Sequence, residues 1–315
     1  KAKRAAALDS TTTDLAKGVH GAQLIVVCTP VNTIVERVRE IASHASPGAL
    51  ITDAGSTKAE IVAALDKNLA VQARKLEMDF FKRMKVYTKA KREPWMKIIT
   101  TRWLDVNKGG EAHPDYRARL VAREINTYKR DDLFAATPPL ESLRMIISIC
   151  ASGQHKPRAQ DRHIIMTNDV KRAYFYAPAT RPIYIRIPDE DWEEGMCGKL
   201  LKSMYGTRDA AQNWSMEDSA TLVKDGYVQG KANPCLFWHP KRDISVMVHG
   251  DDFVAVGTES DLRSTRATLE SKYKIKVETL GKGPGCKVEE RILNKIVRYT
   301  NEGVELEADP RHAEL

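Results

Sequence analysis

The sequence is short of cysteine and has no long apolar run, and both shortages narrow what the chain can be. Its five cysteines, Cys28, Cys150, Cys197, Cys235 and Cys286, are odd in number, widely spaced and never arranged as C-x-x-C. A disulfide framework and a cysteine zinc site are therefore not expected, and a reducing compartment is the default. The apolar run around Leu24 to Val27 falls far short of the ~18 residues that a membrane helix needs, so neither a transmembrane segment nor a membrane partner is expected. The histidines form no metal-binding cluster, and no G-x-G-x-x-G fingerprint precedes Leu24. The chain opens at Lys1 with no methionine and no signal-peptide pattern, and it reads as a fragment.

What remains is the composition of a folded protein. The chain has 315 residues, 42% hydrophobic and 29% charged, enough for two domains and a substantial core. Fifty lysines and arginines against 42 acidic residues leave a net charge of +8, which favours polyanionic partners such as nucleic acid.

The texture changes along the chain. Ala22 to Val31 is a continuous apolar run with a β-branched bias, as a buried parallel strand shows. Ile34, Val35, Val38, Ile41 and Ala42 follow at helical spacing, and a Pro47-Gly48 turn leads to a second buried strand over Ala49 to Asp53. Gly55-Ser56-Thr57 opens another helix, with Glu60 spaced to complete a capping box on Thr57. Strand, helix, strand, helix is the unit of a doubly wound sheet. The Val26 to Val31 strand and the stretch from Pro47 to Val62 resemble the nucleotide-binding domain of prephenate/arogenate dehydrogenases. The resemblance places Thr29, Pro30, Ser56 and Lys58 near that family's cofactor and substrate. Without the glycine loop nothing holds a pyrophosphate, so NAD(P) is not expected as a cofactor.

Residues 71–101 read as a charged linker in which Arg74, Lys75, Lys82, Arg83, Lys85, Lys89, Lys91 and Arg92 interleave with Phe80, Phe81, Tyr87 and Trp95. Beyond it, Thr101 to Val106 and Tyr116 to Arg123 read as strands, the second alternating arginine with apolar residues. Alternation puts Arg117 and Arg119 on one face, suited to a triphosphate or a template backbone, or simply to solvent. Pro138 to Ser152 reads as an amphipathic helix running to Gly153.

Two stretches carry the chemistry. Ser245 to Gly257 reads as two strands joined by a tight turn at His249-Gly250-Asp251-Asp252, where Gly250 eases the bend. Adjacent carboxylates repel, and a divalent cation between them reverses that; a solvated acidic turn is the plain alternative. Ile164 to Tyr176 is an apolar strand that runs into Asp169 and an aromatic cluster. Three carboxylates converging from two strands, Asp169, Asp251 and Asp252, can hold two Mg²⁺ or Mn²⁺ ions.

Six blocks then occur in order: Arg117 to Arg123, Phe134 to Pro139, Asp169 to Tyr174, Met204 to Trp214, Gly226 to Phe237 and His249 to Asp252. They resemble the reverse transcriptase of Ty1/copia retrotransposons. The resemblance implies polymerase fingers and palm over residues 102–315, behind a dehydrogenase-like fragment over 1–70 and the linker over 71–101. The expected fold class is α/β plus α+β, a partial Rossmann-like β-α-β unit followed by an antiparallel sheet with packed helices. The implied function is RNA-directed DNA polymerisation on a template-primer with deoxynucleotides, in the cytoplasm or nucleus. The alternatives are a remnant of a dehydrogenase and a nucleic-acid-binding remnant without catalysis.

The same resemblance gives side chains their roles. Asp169, Asp251 and Asp252 become the metal-binding carboxylates, and Tyr174 the gate against a ribose 2′-hydroxyl. Arg117 and Arg119 meet the triphosphate, and the Tyr205-Gly206 turn lines the nucleotide pocket. His249 and Gly250 replace the usual tyrosine and valine, and Asp209 falls where a glutamine is usual, an acid that needs to point away or to meet Arg208. The chain stops before a ribonuclease H domain of the family fits, and none is expected in it.

Overall fold

Strand, helix, strand, helix is the order that the first part of the chain adopts in the computed structural model, which describes residues 10, 12–29, 31–53, 58–109, 113–125, 133–283, 285–300 and 302–308. The chain divides into two compact units, Lys1–Glu77 with Leu104–Arg119, and Met78–Trp103 with Leu120–Leu315.

In the smaller unit a short helix α1 (Leu15–Val19) starts at Asp14, whose carboxylate accepts the Lys17 backbone N–H at 3.1 Å. Strand β1 (Leu24–Val27), helix α2 (Val31–Ala42) and strand β2 (Leu50–Asp53) form a β-α-β unit, with Leu24 opposite Leu50 in a parallel ladder. Helix α3 (Lys58–Met84) follows. The helical spacing read from the sequence sets the core: Ile34 and Ile41 of α2 close over Val27 and Val19. The expectation of strands buried on both faces is not met. Leu24, Val26 and Leu50 are 57%, 52% and 63% exposed, because α2 covers one side of a sheet only two strands wide. The Thr57 cap lies outside the described residues.

The stretch that reads as a charged linker is structured instead. It holds the end of α3, strand β3 (Tyr87–Lys91) and strand β4 (Ile98–Ile99). Two of its charges meet one acidic turn: Lys82 and Lys89 lie 3.4 and 3.5 Å from Asp191, and the Tyr87 hydroxyl donates to the same carboxylate at 2.7 Å. Strands β5 (Thr101–Asn107) and β6 (Tyr116–Ala122) pair with each other where the sequence places strands. Helix α4 (Leu140–Gly153) runs to the expected glycine.

The larger unit is built on a six-stranded sheet. Its first strand in the chain, β7 (Ile164–Val170), is followed by β8 (Tyr184–Ile185), β9 (Met196–Leu200) and helix α5 (Ala210–Lys224). Then come β10 (Val228–Gln229), β11 (Leu236–His239), β12 (Ile244–His249), β13 (Asp252–Gly257), helix α6 (Glu259–Lys272) and β14 (Ile275–Leu280). The antiparallel order is β10-β11-β12-β13-β7-β14. Alternation along β13 supplies both cores. Phe253 and Ala255 face Trp214 of α5 and Leu262 of α6, whereas Val254 and Val256 face Leu143 and Ile146 of α4. A hairpin ribbon of β15 (Glu289–Ile292), β16 (Lys295–Tyr299) and β17 (Val304–Ala308) closes that second side through Ile292, Val297 and Tyr299. A smaller sheet, β3-β9-β8-β4, packs Ile185 and Leu200 against Phe81 and Phe175, whose rings meet edge-on at 4.7 Å.

The fold is thus a β-α-β unit followed by antiparallel sheets with packed helices. No helix among the described residues is long and apolar enough to cross a membrane.

Candidate active site

The β12–β13 hairpin turns in two residues, Gly250 and Asp251, between His249 and its partner Asp252. Gly250 has φ +64°, a conformation that costs glycine little and a β-branched residue much, so glycine here is what allows so tight a turn. Two contacts fix the turn to the rest of the unit. The buried Trp214 donates its indole N–H to the Gly250 carbonyl at 2.7 Å, and the Asp251 carbonyl accepts the Val170 N–H at 2.9 Å. The second contact ties the turn to the end of β7, where Asp169 stands directly across the ladder from Asp252. The hairpin and the single strand therefore bring Asp169 to the adjacent Asp251 and Asp252, from which the sequence separates it widely.

Their electrostatics follow from this crowding. Burial, then the charges of Asp251 and Asp169, push the Asp252 carboxyl up to about 6. Lys276 of β14 stands across from Asp169 on its other side, but its ammonium is drawn to Glu278 at 3.0 Å. Among the described residues no three His, Cys, Asp or Glu side chains are gathered closely enough to hold a metal ion as they stand. The donor set nonetheless fits a hard divalent cation: oxygen ligands only, and a carboxyl whose ionisation is held back by its neighbours.

Tyr174 shares this place. It lies in a short 3₁₀ turn, Ala173–Tyr176, stacks on Tyr205 with ring centroids 4.6 Å apart, and lines a cleft of about 500 Å³ together with Asp251, Asp252 and Trp214. Burial and the Asp251 charge both raise its phenol pKa. The Tyr205-Gly206 turn is sewn to the end of β6, the Tyr205 carbonyl accepting the Ala122 N–H at 2.8 Å. Gly206 has φ +85°, and a Cβ there would stand 2.0 Å from the Ala122 carbonyl oxygen, so no other residue fits.

The remaining sequence-derived residues lie elsewhere. Arg117 and Arg119 belong to the smaller unit and share the exposed face of β6, as alternation requires; Arg117 approaches Asp115 at 3.4 Å. Thr29 follows β1 with its hydroxyl oxygen buried and without a hydrogen-bond partner among the described residues, and Lys58 is the first residue of α3. Pro30 and Ser56 lie outside the described residues, as does the side chain of Lys58.

Asp209 is stabilised by a partner that the sequence does not suggest. It forms a two-pronged pair with Arg181, Nε to Oδ2 at 2.9 Å and Nη2 to Oδ1 at 3.0 Å. Arg181 also reaches Glu124 at 2.6 Å, and this pairing outweighs the burial that on its own would raise the Asp209 pKa, leaving it lowered. Sequence reading also misses Trp214 as the anchor of the turn and Asp218 as a buried acid in the same cleft. The four-residue spacing on α5 that puts both on one helical face was the available signal.

Known proteins match this chain in two segments. Residues 84–282 match the family model described as reverse transcriptase (RNA-dependent DNA polymerase), and residues 1–75 match that of the prephenate dehydrogenase nucleotide-binding domain. The chain is 24% identical over 214 residues to the retrovirus-related Pol polyprotein from transposon TNT 1-94 of Nicotiana tabacum, covering 64% of this chain and 16% of that protein. It is 27% identical over 146 residues to the transposon Ty1-DR1 Gag-Pol polyprotein of Saccharomyces cerevisiae, covering 45% of this chain and 8% of that protein. Among solved structures it is similar to the foamy viral protease-reverse transcriptase in complex with double-stranded DNA, with a TM-score of 0.43, 15% identity, and 78% and 36% of the two chains covered. The chain spans a sixth or less of the curated relatives it is compared with here. With about two thirds of its length matched by one family model, the chain belongs to the reverse transcriptase (RNA-dependent DNA polymerase) family.

Proposed function

We propose that this chain is the polymerase portion of a copia-type retrotransposon enzyme, adding deoxynucleotides to a primer 3′-hydroxyl on an RNA or DNA template. The observation that carries the reading is the ladder that sets Asp252 opposite Asp169 with Asp251 in the adjoining turn. Asp169, Asp251 and Asp252 would hold Mg²⁺ or Mn²⁺. Divalent ions there supply activation of the attacking hydroxyl and charge neutralisation on the leaving pyrophosphate.

The chain's own residues do the positioning. Tyr174, held by its stack on Tyr205, narrows the cleft beside Asp251, which suits exclusion of a ribose 2′-hydroxyl. The Tyr205-Gly206 turn backs Tyr174 through that ring contact. Arg117 and Arg119 offer two positive charges on one exposed face, where a triphosphate or a nucleic-acid backbone would be taken. The net charge of +8 supports a polyanionic partner. We propose a dehydrogenase-like fragment over residues 1–70 and polymerase fingers and palm from 102 onward, joined by the structured segment that carries β3.

The test is extension of a labelled primer on RNA and DNA templates in Mg²⁺. Wild-type chain extends and Asp251→Asn does not, while both bind the duplex. Undiminished extension by Asp251→Asn would remove the assignment. Tyr174→Ala is expected to admit ribonucleotides; unchanged selectivity would remove the gate.

A further inference from the structure

Helix α5 brings more than Trp214 to the cleft. Ala211, Trp214, Ser215, Asp218 and Ser219 form one stripe along it, spaced by three and four residues, and all line the same 500 Å³ space as Tyr174, Asp251 and Asp252. Within that stripe Asp218 is anomalous. It is 3% exposed, and its hydrogen bonds come from the neighbouring residue, Ser219, whose hydroxyl donates at 3.2 Å. No lysine or arginine is paired with it among the described residues. A buried acid with no cation keeps its proton, and burial, aided by Glu217, pushes this carboxyl up to about 8 against the opposing Ser219 bonds.

What shifts it is burial, Ser219 and Glu217, with no cation among those causes. Glu217 on the same helix is tied to Lys272 at 2.5 Å. Cys235, ahead of β11, and Tyr273, beyond α6, have pKa values raised first by burial and only then by neighbouring acids, and a thiol and a phenol supply no cation. His249, Asp251 and Asp252 from the hairpin and Arg291 from β15 line the same cleft.

A neutral carboxylic acid offers one O–H donor and one carbonyl acceptor, and it adds no negative charge to a wall along which phosphates would pass. That chemistry suits the uncharged edges of a polynucleotide, the sugar hydroxyl and the base, better than its phosphates. We propose that Asp218, between the Ser215 and Ser219 hydroxyls, is a substrate-binding residue that hydrogen-bonds a sugar or base edge of the nucleic-acid strand seated in this cleft. The inference rests on the polymerase reading of the cleft, and it is tested by binding instead of extension.

The experiment measures fluorescence anisotropy of a labelled primer–template, RNA–DNA and DNA–DNA, with the full chain as wild type, Asp218→Asn and Asp218→Leu. Because only the protonated acid binds, wild-type affinity should fall about tenfold between about pH 7 and about pH 9. Asp218→Asn keeps a donor and an acceptor and should bind within about twofold of wild type at neutral pH, with a flat profile. Asp218→Leu should bind about tenfold more weakly. A loss confined to the RNA–DNA duplex assigns the contact to a 2′-hydroxyl, and an equal loss on both duplexes assigns it to a base edge. Wild-type binding by Asp218→Leu, equal loss in Asp218→Asn, or a flat wild-type profile would each overturn the proposal. If Asp218→Leu does not fold by circular dichroism, the wild-type and Asp218→Asn profiles decide alone. A wild-type chain that binds with this pH profile but never extends a primer defeats the polymerase reading and leaves the contact standing.

Discussion

Strands β1 and β13 are written in nearly the same apolar alphabet, Leu-Ile-Val-Val against Phe-Val-Ala-Val, yet they end in opposite environments. In β13 every one of those four side chains is buried, divided between two cores. In β1 only Val27 is buried, and Leu24 and Val26 are more than half exposed. The difference is one of neighbours. β13 has strands on both sides and helices or a hairpin ribbon over both faces, whereas β1 has one partner strand and α2 over one face. An apolar run states that a strand wants cover; whether it gets any depends on chain far away. Each large side chain left uncovered forgoes ~1.5–3 kcal/mol, so the two sheets should respond very differently to the same kind of change.

The largest effect is expected at Trp214. It is buried, meets Tyr273 edge-on at 5.2 Å and donates to the Gly250 carbonyl. Trp214→Ala should cost about 3–5 kcal/mol in denaturant unfolding through the lost ring and its cavity. Trp214→Phe, which mainly removes the N–H, should cost about 1 kcal/mol. Equal losses in the two variants would mean that the hydrogen bond, not packing, holds the turn.

Next comes the Arg181 pair, which no feature of β1 or β2 matches. Arg181→Met strands Asp209, whose side chain is 4% exposed, beside Glu124, and should cost about 3 kcal/mol. Adding Asp209→Leu should recover much of that loss, since the stranded charge is gone. The pair also has a pH signature. The Asp209 pKa is lowered in the folded state, so its contribution is present above the usual carboxylate range and is lost as pH falls through the depressed value. Arg181→Met should therefore flatten the acid side of the stability profile.

Legibility in the sequence followed the same divide. The hairpin at Gly250, the strand ending in Asp169 and the helices α2 and α4 are local patterns, and periodicity or turn chemistry showed them. The meeting of Asp169 with Asp252 is a pairing across sequence, and there the ordered blocks of the family did what periodicity could not. Two errors came from reading composition as structure. Basic residues from Arg74 to Arg92 read as a charged linker, whereas Asp191 and Glu193, a hundred residues on, meet Lys89 beside the ladder that pairs β3 with β9. The apolar β1 suggested burial on both faces, and only one was available. Arg181 was invisible because nothing local marks an arginine as the partner of a distant buried acid.

A third measurement sets function against stability inside the larger sheet. Asp252 is raised to about 6 by burial and two like charges, so its ionisation weakens the fold as pH rises from about 4 to about 6. Asp252→Asn should stabilise the metal-free chain by about 1 kcal/mol above that range, roughly 2–4 °C in Tm for a unit of this size, and by nothing below it. Mg²⁺ should narrow the gap by stabilising wild type alone. A destabilised Asp252→Asn would show that the carboxylate is held by hydrogen bonds and not merely crowded.

The sharpest form of the comparison is one substitution made twice, and its Val26 arm is the smallest effect of all. Val254 of β13 is 1% exposed and Val26 of β1 is 52% exposed. Threonine preserves the β-branch and almost the volume, so strand preference is held constant and only the hydroxyl's surroundings differ. Val254→Thr puts that hydroxyl among Leu143, Ile146 and Val297, away from water, and should cost about 1–3 kcal/mol. Val26→Thr leaves it in solvent and should change stability by less than about 0.5 kcal/mol. Chemical unfolding of the two variants reads both numbers. A cost at Val26 comparable to that at Val254 would mean that the open face of the β1–β2 sheet is covered in solution, and the contrast between the two sheets would then vanish.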